Sequence, residues 1–461
     1  MSNAIEEKLQ ENKMGVMPVN QLLLNMSLPM MISMLVQALY NIVDSIFVAK
    51  LSENALTAVS LAFPIQTLLI AVGAGTGVGI NSLLSKQLGE KNFKQANKTA
   101  MNAIFLAVLS YFAFVIIGIV AVKPFYASQI KNADPEIYTM GVQYLTIVCV
   151  CSFGLFAQLI FEKLLQSTGK TLYSMIAQAT GAIINIILDP ILIFGLCGMP
   201  KLGVAGAAVA TVIGQIAGGI FGLICNLKKN KEITLSIKGF RPDGYTIANI
   251  YKVGVPSIIM QAIGSVMTYS MNMILITFSS TATAVFGIYF KLQSFFFMPV
   301  IGLNNGLIPI IAYNYGAGRR SRMIKAIKCS LAYAFLLMFA GFVVFESIPT
   351  VLLRMFDASE DMIGMGVLAL RIIGVHFLVA WFCIISSAVF QSLGNGVYSL
   401  IVSVARQLVV LLPVAFILSK IGGLDAVWWA FPIAEIMSVC VSGFFMINIY
   451  KNVIRKVPDN V

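Results

Sequence analysis

Twelve stretches of this chain are long and apolar enough to cross a bilayer, and nothing else in the sequence constrains the fold as strongly. A hydrocarbon core about 30 Å thick requires roughly 20 apolar residues in helix. The segments are 27–49, 55–84, 96–122, 137–162, 171–195, 204–227, 250–277, 283–313, 324–347, 364–389, 398–418 and 425–450. Inside hydrocarbon each backbone N–H and C=O must find its partner within the protein, which leaves helices for runs this long and unbroken. Composition agrees: 59% of residues are hydrophobic, 11% are charged and mean hydropathy is +0.89, where soluble domains carry about 25% charged residues. The expected fold class is an all-α polytopic membrane protein of 12 transmembrane helices.

Charge sets the orientation. The formal net charge of +12 would suit a nucleic-acid partner, but the Lys and Arg lie between apolar runs. With the N-terminus inside, 22 of the 31 basic residues fall on inner flanks and loops and 7 on the outer side; Lys291 and Arg406 lie within spans. Positive flanks stay cytoplasmic, so both termini are expected in the cytoplasm, with the bilayer rather than nucleic acid as the partner. Residues 1–20 are polar and mixed in charge and show no signal-peptide pattern. The seven cysteines, among them Cys149 and Cys151, have no metal-ligand spacing and read as small packing residues.

The chain also repeats itself. Pro29 and Pro256, Gly79-Ile80 and Gly306-Leu307, and Gly89 and Gly316 are each separated by 227 residues. Gln166-Ser-Thr-Gly-Lys-Thr-Leu-Tyr-Ser-Met-Ile176 resembles Gln391-Ser-Leu-Gly-Asn-Gly-Val-Tyr-Ser-Leu-Ile401 at an offset of 225. Two six-helix lobes follow, an N-lobe over 20–227 and a C-lobe over 250–453, joined by a cytoplasmic linker at 228–249. Six is even, so both lobes enter from the same side. The repeat is therefore parallel, with a pseudo-two-fold axis along the membrane normal and a substrate path between lobes.

Segment 1 carries a carboxylate inside its apolar run, Asp44, at an insertion cost of roughly 2.5–3.5 kcal/mol. Gln37, Asn41 and Asp44 share one helical face, flanked by Tyr40 and Ser45. Segment 5 presents Gln178, Asn185 and Asp189 as a stripe, and segment 6 presents Thr211 and Gln215. Asp44 lies 17 residues beyond the inner start of its segment and Asp189 lies 18 beyond its own, which puts both about 25–27 Å up at 1.5 Å per residue. Thr211 lies at a similar level. Pro190 has no N–H and leaves the carbonyl of Ile186 without its helical partner. Two carboxylates among amides and hydroxyls suit a proton or a Na⁺ ion; the alternative is that they only pair with donors and hold helices together. In the second lobe Met273 and Val414 occupy roughly the matching places.

Other intramembrane polar groups divide between structure and cavity. Arg406 and Glu435 read as an ion pair or as cavity groups. Lys291 could line the central cavity or pair with another group. Gln261 and Asn272 of segment 7 are further cavity candidates. His376, the single histidine, reads as a hydrogen-bonded core residue, with a cavity role as the alternative. Glu162 and Glu346 are expected at hydrated helix ends. Gly73-Ala-Gly75-Thr-Gly77-Val-Gly79 lacks the Gly-Lys-Ser/Thr ending of a phosphate loop and reads as close helix packing through small residues. No zincin, nucleophile-elbow or ATP-binding motif is present, so the chain is not expected to be an enzyme and no cofactor is expected beyond a coupling ion.

These residues resemble one family. Ser27-Leu-Pro-Met, Leu39-Tyr-Asn-Ile-Val-Asp44, Asn185-Ile-Ile-Leu-Asp189-Pro-Ile-Leu-Ile-Phe-Gly195 and Gly203-Val-Ala-Gly-Ala-Ala-Val-Ala-Thr211 are similar to the multidrug and toxic-compound extrusion (MATE) family, over about residues 20–453. The match is closer to its DinF-like branch, which implies ion-linked roles for Asp44, Asp189, Asn185 and Thr211, with Gln37 and Asn41 beside them. Segments 7 and 10 lack the carboxylates that the NorM-like branch uses in its C-terminal lobe. The resemblance implies V-shaped inward- and outward-open states in the cytoplasmic membrane of a bacterium. It also implies export of amphiphilic, often cationic, small molecules in exchange for H⁺ or Na⁺, by a monomer. The rival readings are a lipid-linked oligosaccharide flippase of the same superfamily, which would need a more cationic cavity, and a receptor or scaffold without flux.

Overall fold

The computed structural model describes residues 11–129, 135–356 and 358–459; Lys8 and Lys131 of the charge tally lie outside them. Fourteen helices carry the spans: α1 (Val19–Ala49), α2 (Glu53–Gly89), α3 (Phe93–Val120), α4 (Pro135–Val150), α5 (Phe153–Ser167), α6 (Thr171–Phe194), α7 (Val204–Lys228), α8 (Gly244–Leu275), α9 (Ser280–Gly316), α10 (Arg320–Ser347), α11 (Glu360–Gly374), α12 (Phe377–Ser392), α13 (Gly396–Ile421) and α14 (Ala430–Asn452). Ten of the described helices are each long and apolar enough to cross a membrane alone. The pairs α4–α5 and α11–α12, bent by 45° and 50°, are each long and apolar enough together for one span, which makes up to twelve.

Both bends fall where the ladder tightens to i→i−3 bonds, Ser152 N to Cys149 O (3.3 Å) and His376 N to Ile373 O (3.0 Å). The breaks, Cys151–Ser152 and Val375–His376, are 224 residues apart, within one residue of the 225 offset of the repeat, so the bend belongs to the repeat. The caps repeat as well: the side chains of Ser52 and Ser279 accept from Ala55 N and Ala282 N, each at 3.0 Å. One departure is local to the second lobe, where Ala405–Leu411 of α13 winds as π-helix, just before Pro413.

Hydropathy locates the hydrocarbon better than it locates helix ends. α1 begins at Val19, not 27, because Asn20, Gln21 and Asn25 continue the helix beyond the apolar run. The fourth span continues to Ser167 rather than 162. Glu162 is therefore buried, at 5% exposure, instead of hydrated at a helix end, and Lys163 is buried beside it. The side chain of Glu346 does lie at an end, 3.8 Å from Arg371.

The glycine run of α2 explains how the lobes join. Spaced by two, its glycines alternate between two helix faces. A Cβ on Gly73 or Gly77 would meet Leu159 (2.5 Å) or Lys163 (2.6 Å) of α5, in the same lobe. A Cβ on Gly75 or Gly79 would meet Ile258 (2.5 Å) or the Ile250 carbonyl (2.0 Å) of α8, in the other lobe. The second lobe reciprocates: Gly302 and Gly306 of α9 sit against Met31 (2.5 Å) and Ser27 (2.4 Å) of α1. The pseudo-two-fold axis passes between Gly89, 2.0 Å by its Cβ position from Tyr313 O, and Gly316, 2.1 Å from Lys86 O. Lipid offers no hydrophobic drive for helices to associate, so such close backbone approach supplies the packing.

All these contacts lie toward the end of the bundle that carries the basic loops, where both described termini also lie. There Arg322 donates to the carbonyls of Met14 (3.1 Å) and Met17 (2.6 Å), and Asp459 accepts from Ser321 N (2.9 Å). Toward the far end the same helices expose Asn41 and Ser45 on α1, Gln261 and Tyr269 on α8, and Lys291 and Phe295 on α9. The lobes thus meet at the basic end and part at the other, leaving a V-shaped cleft. Gly89→Ala should wedge the closed end apart. In double electron–electron resonance between labels on Lys94 and Lys325, the distance should lengthen; an unchanged distribution would show that the crossing tolerates a methyl group.

Candidate functional site: a carboxyl layer in the first lobe

α6 and α7 lie almost backbone to backbone. A Cβ on Gly214 would stand 2.6 Å from Gly181 O, and one on Gly206 would stand 2.5 Å from Leu192 O. This approach brings Asn185 of α6 against Thr211 of α7. The amide satisfies both neighbours when its Nδ2 donates to Asp189 Oδ2 (3.2 Å) and its Oδ1 accepts from Thr211 N (3.0 Å) and the Thr211 hydroxyl (3.3 Å). Asn185, Asp189 and Thr211 are all buried, Asp189 completely.

Asp44 of α1 completes the group, its carboxyl within hydrogen-bonding reach of Asp189. An ionised carboxylate only accepts, so a bond between two carboxyls requires one proton. The Oδ1 of Asp44 is buried without a partner among the described residues, so the layer has an acceptor to spare. Pro190 lies within α6, and the freed carbonyl of Ile186 is one turn below it.

The polar stripes otherwise meet in pairs. Gln178 Nε2 donates to Gln37 Oε1 (3.2 Å), and Ser33 donates to Gln178 Oε1. Tyr40 is half-buried, within electrostatic range of both carboxyls. Asn41 is exposed, and its backbone carbonyl accepts from Ser45 Oγ at 2.8 Å; such back-bonding favours bending of a helix. Gln215 is half-buried one turn beyond Thr211 on α7.

The second lobe is built differently. At the 227 offset the counterpart of Asp44 is Met271, fully buried, two residues before Met273, which is 55% exposed. Arg406 and Glu435 form an ion pair at 3.2 Å. His376 is buried at the bend of the tenth span, its ring 4.8 Å from that of Phe377 and 5.8 Å from that of Phe297, so it belongs to an aromatic cluster. Gln261 is exposed, with Nε2 donating to Ser257 O (3.4 Å), and Asn272 is half-buried. Lys291 is exposed, 5.9 Å from the centroid of Phe356.

Two groups escaped sequence reasoning. Gln66 of α2 donates to the Tyr144 hydroxyl of α4 at 2.8 Å, and Tyr144 lies within electrostatic range of Asp44 and Asp189. A glutamine inside an apolar run was the available signal. Lys163, a basic flank in the sequence, donates to Gln166 Oε1 (2.9 Å) and across to Asn305 Oδ1 (3.2 Å) of the other lobe. Only its burial distinguishes it from other basic flanks. No cluster of three His, Cys, Asp or Glu with metal-binding geometry occurs among the described residues.

The family model described as MatE matches twice, over residues 29–191 and 256–417, the same 227 offset as the repeat. The chain is 28% identical over 436 residues to the multidrug export protein MepA of Staphylococcus aureus (strain MSSA476), covering 93% of each chain. It superposes with a TM-score of 0.90 on a solved outward-facing conformation of a multidrug resistance MATE family transporter of the MOP superfamily, at 26% identity and over 97% of this chain and 99% of that one. A MOP superfamily transporter from Pyrococcus furiosus, described by the reverse polarity of its binding pocket, matches at TM-score 0.87 and 26% identity, over 96% and 99%.

The glycine contact beneath Asn185 can be tested directly. Gly214→Ala should cost about 1–3 kcal/mol by overpacking and lower the thermal-unfolding midpoint in detergent. Gly443→Ala, whose Cβ would meet open space, should leave the midpoint unchanged or raise it.

Proposed function

The chain belongs to the MatE family of transporters, and on that premise we propose that it is a secondary-active multidrug efflux antiporter, exporting amphiphilic compounds across the bacterial cytoplasmic membrane in exchange for H⁺. The observation that carries this reading is the meeting of half-buried Asp44 with fully buried Asp189 in one layer. Intramembrane carboxyls are costly and mark ion paths. Two that can share a hydrogen bond form a site which gains or loses a proton at little structural cost. Na⁺ is the second reading, favoured by the unpartnered Oδ1 of Asp44 and the freed Ile186 carbonyl beside the same carboxyls.

The basic end is read as cytoplasmic, with both termini there, which makes the described state outward-open. Protons from outside then reach the layer through the parted face of α1. With both carboxyls neutral, their mutual repulsion disappears and α1 is free to bend near Asn41–Ser45, where the Ser45 back-bond already weakens the ladder. Bending reshapes the cleft wall that Gln37, Tyr40 and Asn41 present, and bound compound leaves outward. One charge moved down 100 mV supplies about 2.3 kcal/mol, enough to drive a modest uphill gradient. No resident cofactor enters this cycle, and a monomer contains the whole path.

Dye efflux from proteoliposomes under separate pH and Na⁺ gradients tests the proposal. Efflux should follow the pH gradient and be abolished in Asp44→Asn and Asp189→Asn at unchanged expression. Thr211→Val should slow it without abolishing it. Undiminished efflux by Asp44→Asn would refute the coupling site, and efflux driven by Na⁺ alone would replace the proton.

A further inference from the structure

Lys291 is the group that the efflux cycle leaves unused. It lies on α9 three turns before Gly302, and eleven residues of helix return to the same face. Gly302 is the glycine whose Cβ would strike Met31 of α1. Lys291 therefore sits on the interlobe face, about 16 Å above the point where the lobes meet. Along that face Ala284, Gly287, Lys291 and Phe295 are exposed, and a Cβ on Gly287 would meet nothing within 4 Å. The face is an open wall of the cleft.

Its charge is uncompensated among the described residues. Among the described residues no Asp or Glu is in an ion pair with Lys291. Glu435 is taken by Arg406, Glu346 by Arg371, and Asp44 and Asp189 face each other in the opposite lobe. Its one described partner is the Phe356 ring, a weak contact at 5.9 Å. An ammonium facing lipid would be costly, whereas one facing an aqueous cleft stays solvated and available. Phe295, one turn along and 45% exposed, offers an apolar surface beside it.

We propose that Lys291 is a specificity-determining residue of the cleft, selecting aromatic amphiphiles that carry a carboxylate, zwitterions included. The inference rests on the efflux reading and names part of its substrate class. The ammonium pairs with the carboxylate while the ring system lies against Phe295. A zwitterion keeps its cationic end toward the carboxyl-bearing wall of the first lobe.

The test uses two dyes that differ in one group, a free-acid rhodamine and its methyl ester, in proteoliposomes of the full chain. The wild type should export both. Lys291→Met should reduce export of the free acid about tenfold, the size of one charge-assisted contact, and leave the ester within twofold. Lys291→Arg should restore the free acid. An equal fall for both dyes, or no fall, overturns the proposal. Asp357 follows Phe356 in the chain and lies outside the described residues; the same selective loss in Asp357→Asn would make Lys291 half of an ion pair and also overturn it. Export of the ester alone by the wild type refutes this inference and leaves the efflux reading intact. Export of neither dye refutes both.

Discussion

The structure depends on backbone-to-backbone contact between lobes at glycine. Where Gly79 meets the Ile250 carbonyl and Gly89 meets Tyr313, no side chain intervenes. In a solvent as apolar as leucine, helices gain little from hiding apolar surface and much from fitting together. The fit is reciprocal about the pseudo-two-fold axis, so α2 lies on α8 as α9 lies on α1. Confined to the basic end, it leaves the rest of the interlobe face unpaired. The V-shaped cleft follows from where the glycines stop.

Symmetry of backbone then makes the asymmetry of side chains meaningful. The two lobes share helix lengths, serine caps and a bent span, yet they bury charge in different ways. The first lobe brings Asp44 against Asp189 without a basic partner, held by Asn185 and Thr211. The second neutralises Glu435 with Arg406 and fills the region around His376 with aromatic rings. A paired charge is a stable arrangement; two facing carboxyls are stable only with a proton or cation between them. The lobe that lacks compensation is the one suited to exchange an ion. On the efflux reading proposed above, this lobe supplies the titrating wall and the other is left to recognise substrate.

Much of this was legible in the chain. Spans, repeat and the shared level of Asp44, Asp189 and Thr211 follow from apolar length, fixed offsets and helical rise, which are one-dimensional quantities. The buried state of Glu162 and Lys163 was not, because hydropathy averages over a window and a bent span extends past it. Gln66 and Tyr144 carried a weak signal, each one of several polar residues in its apolar run, and their pairing depends on which helices adjoin. Polar residues end a hydrocarbon segment without ending a helix, so α1 starts at Val19, ahead of its apolar run.

By itself the sequence determined that this chain crosses a membrane in helices, that it does so twice over in one pattern, and that Asp44 and Asp189 lie in the same half. Each of these rests on local chemistry: hydrocarbon excludes unpaired backbone groups and bare charge. Tertiary structure decided that Asp44 meets Asp189, that Lys163 reaches Asn305 across the lobes, and that Lys291 stands in an open cleft. Those outcomes depend on the close approach of helices far apart in the chain, set by where a glycine leaves room for a neighbouring backbone.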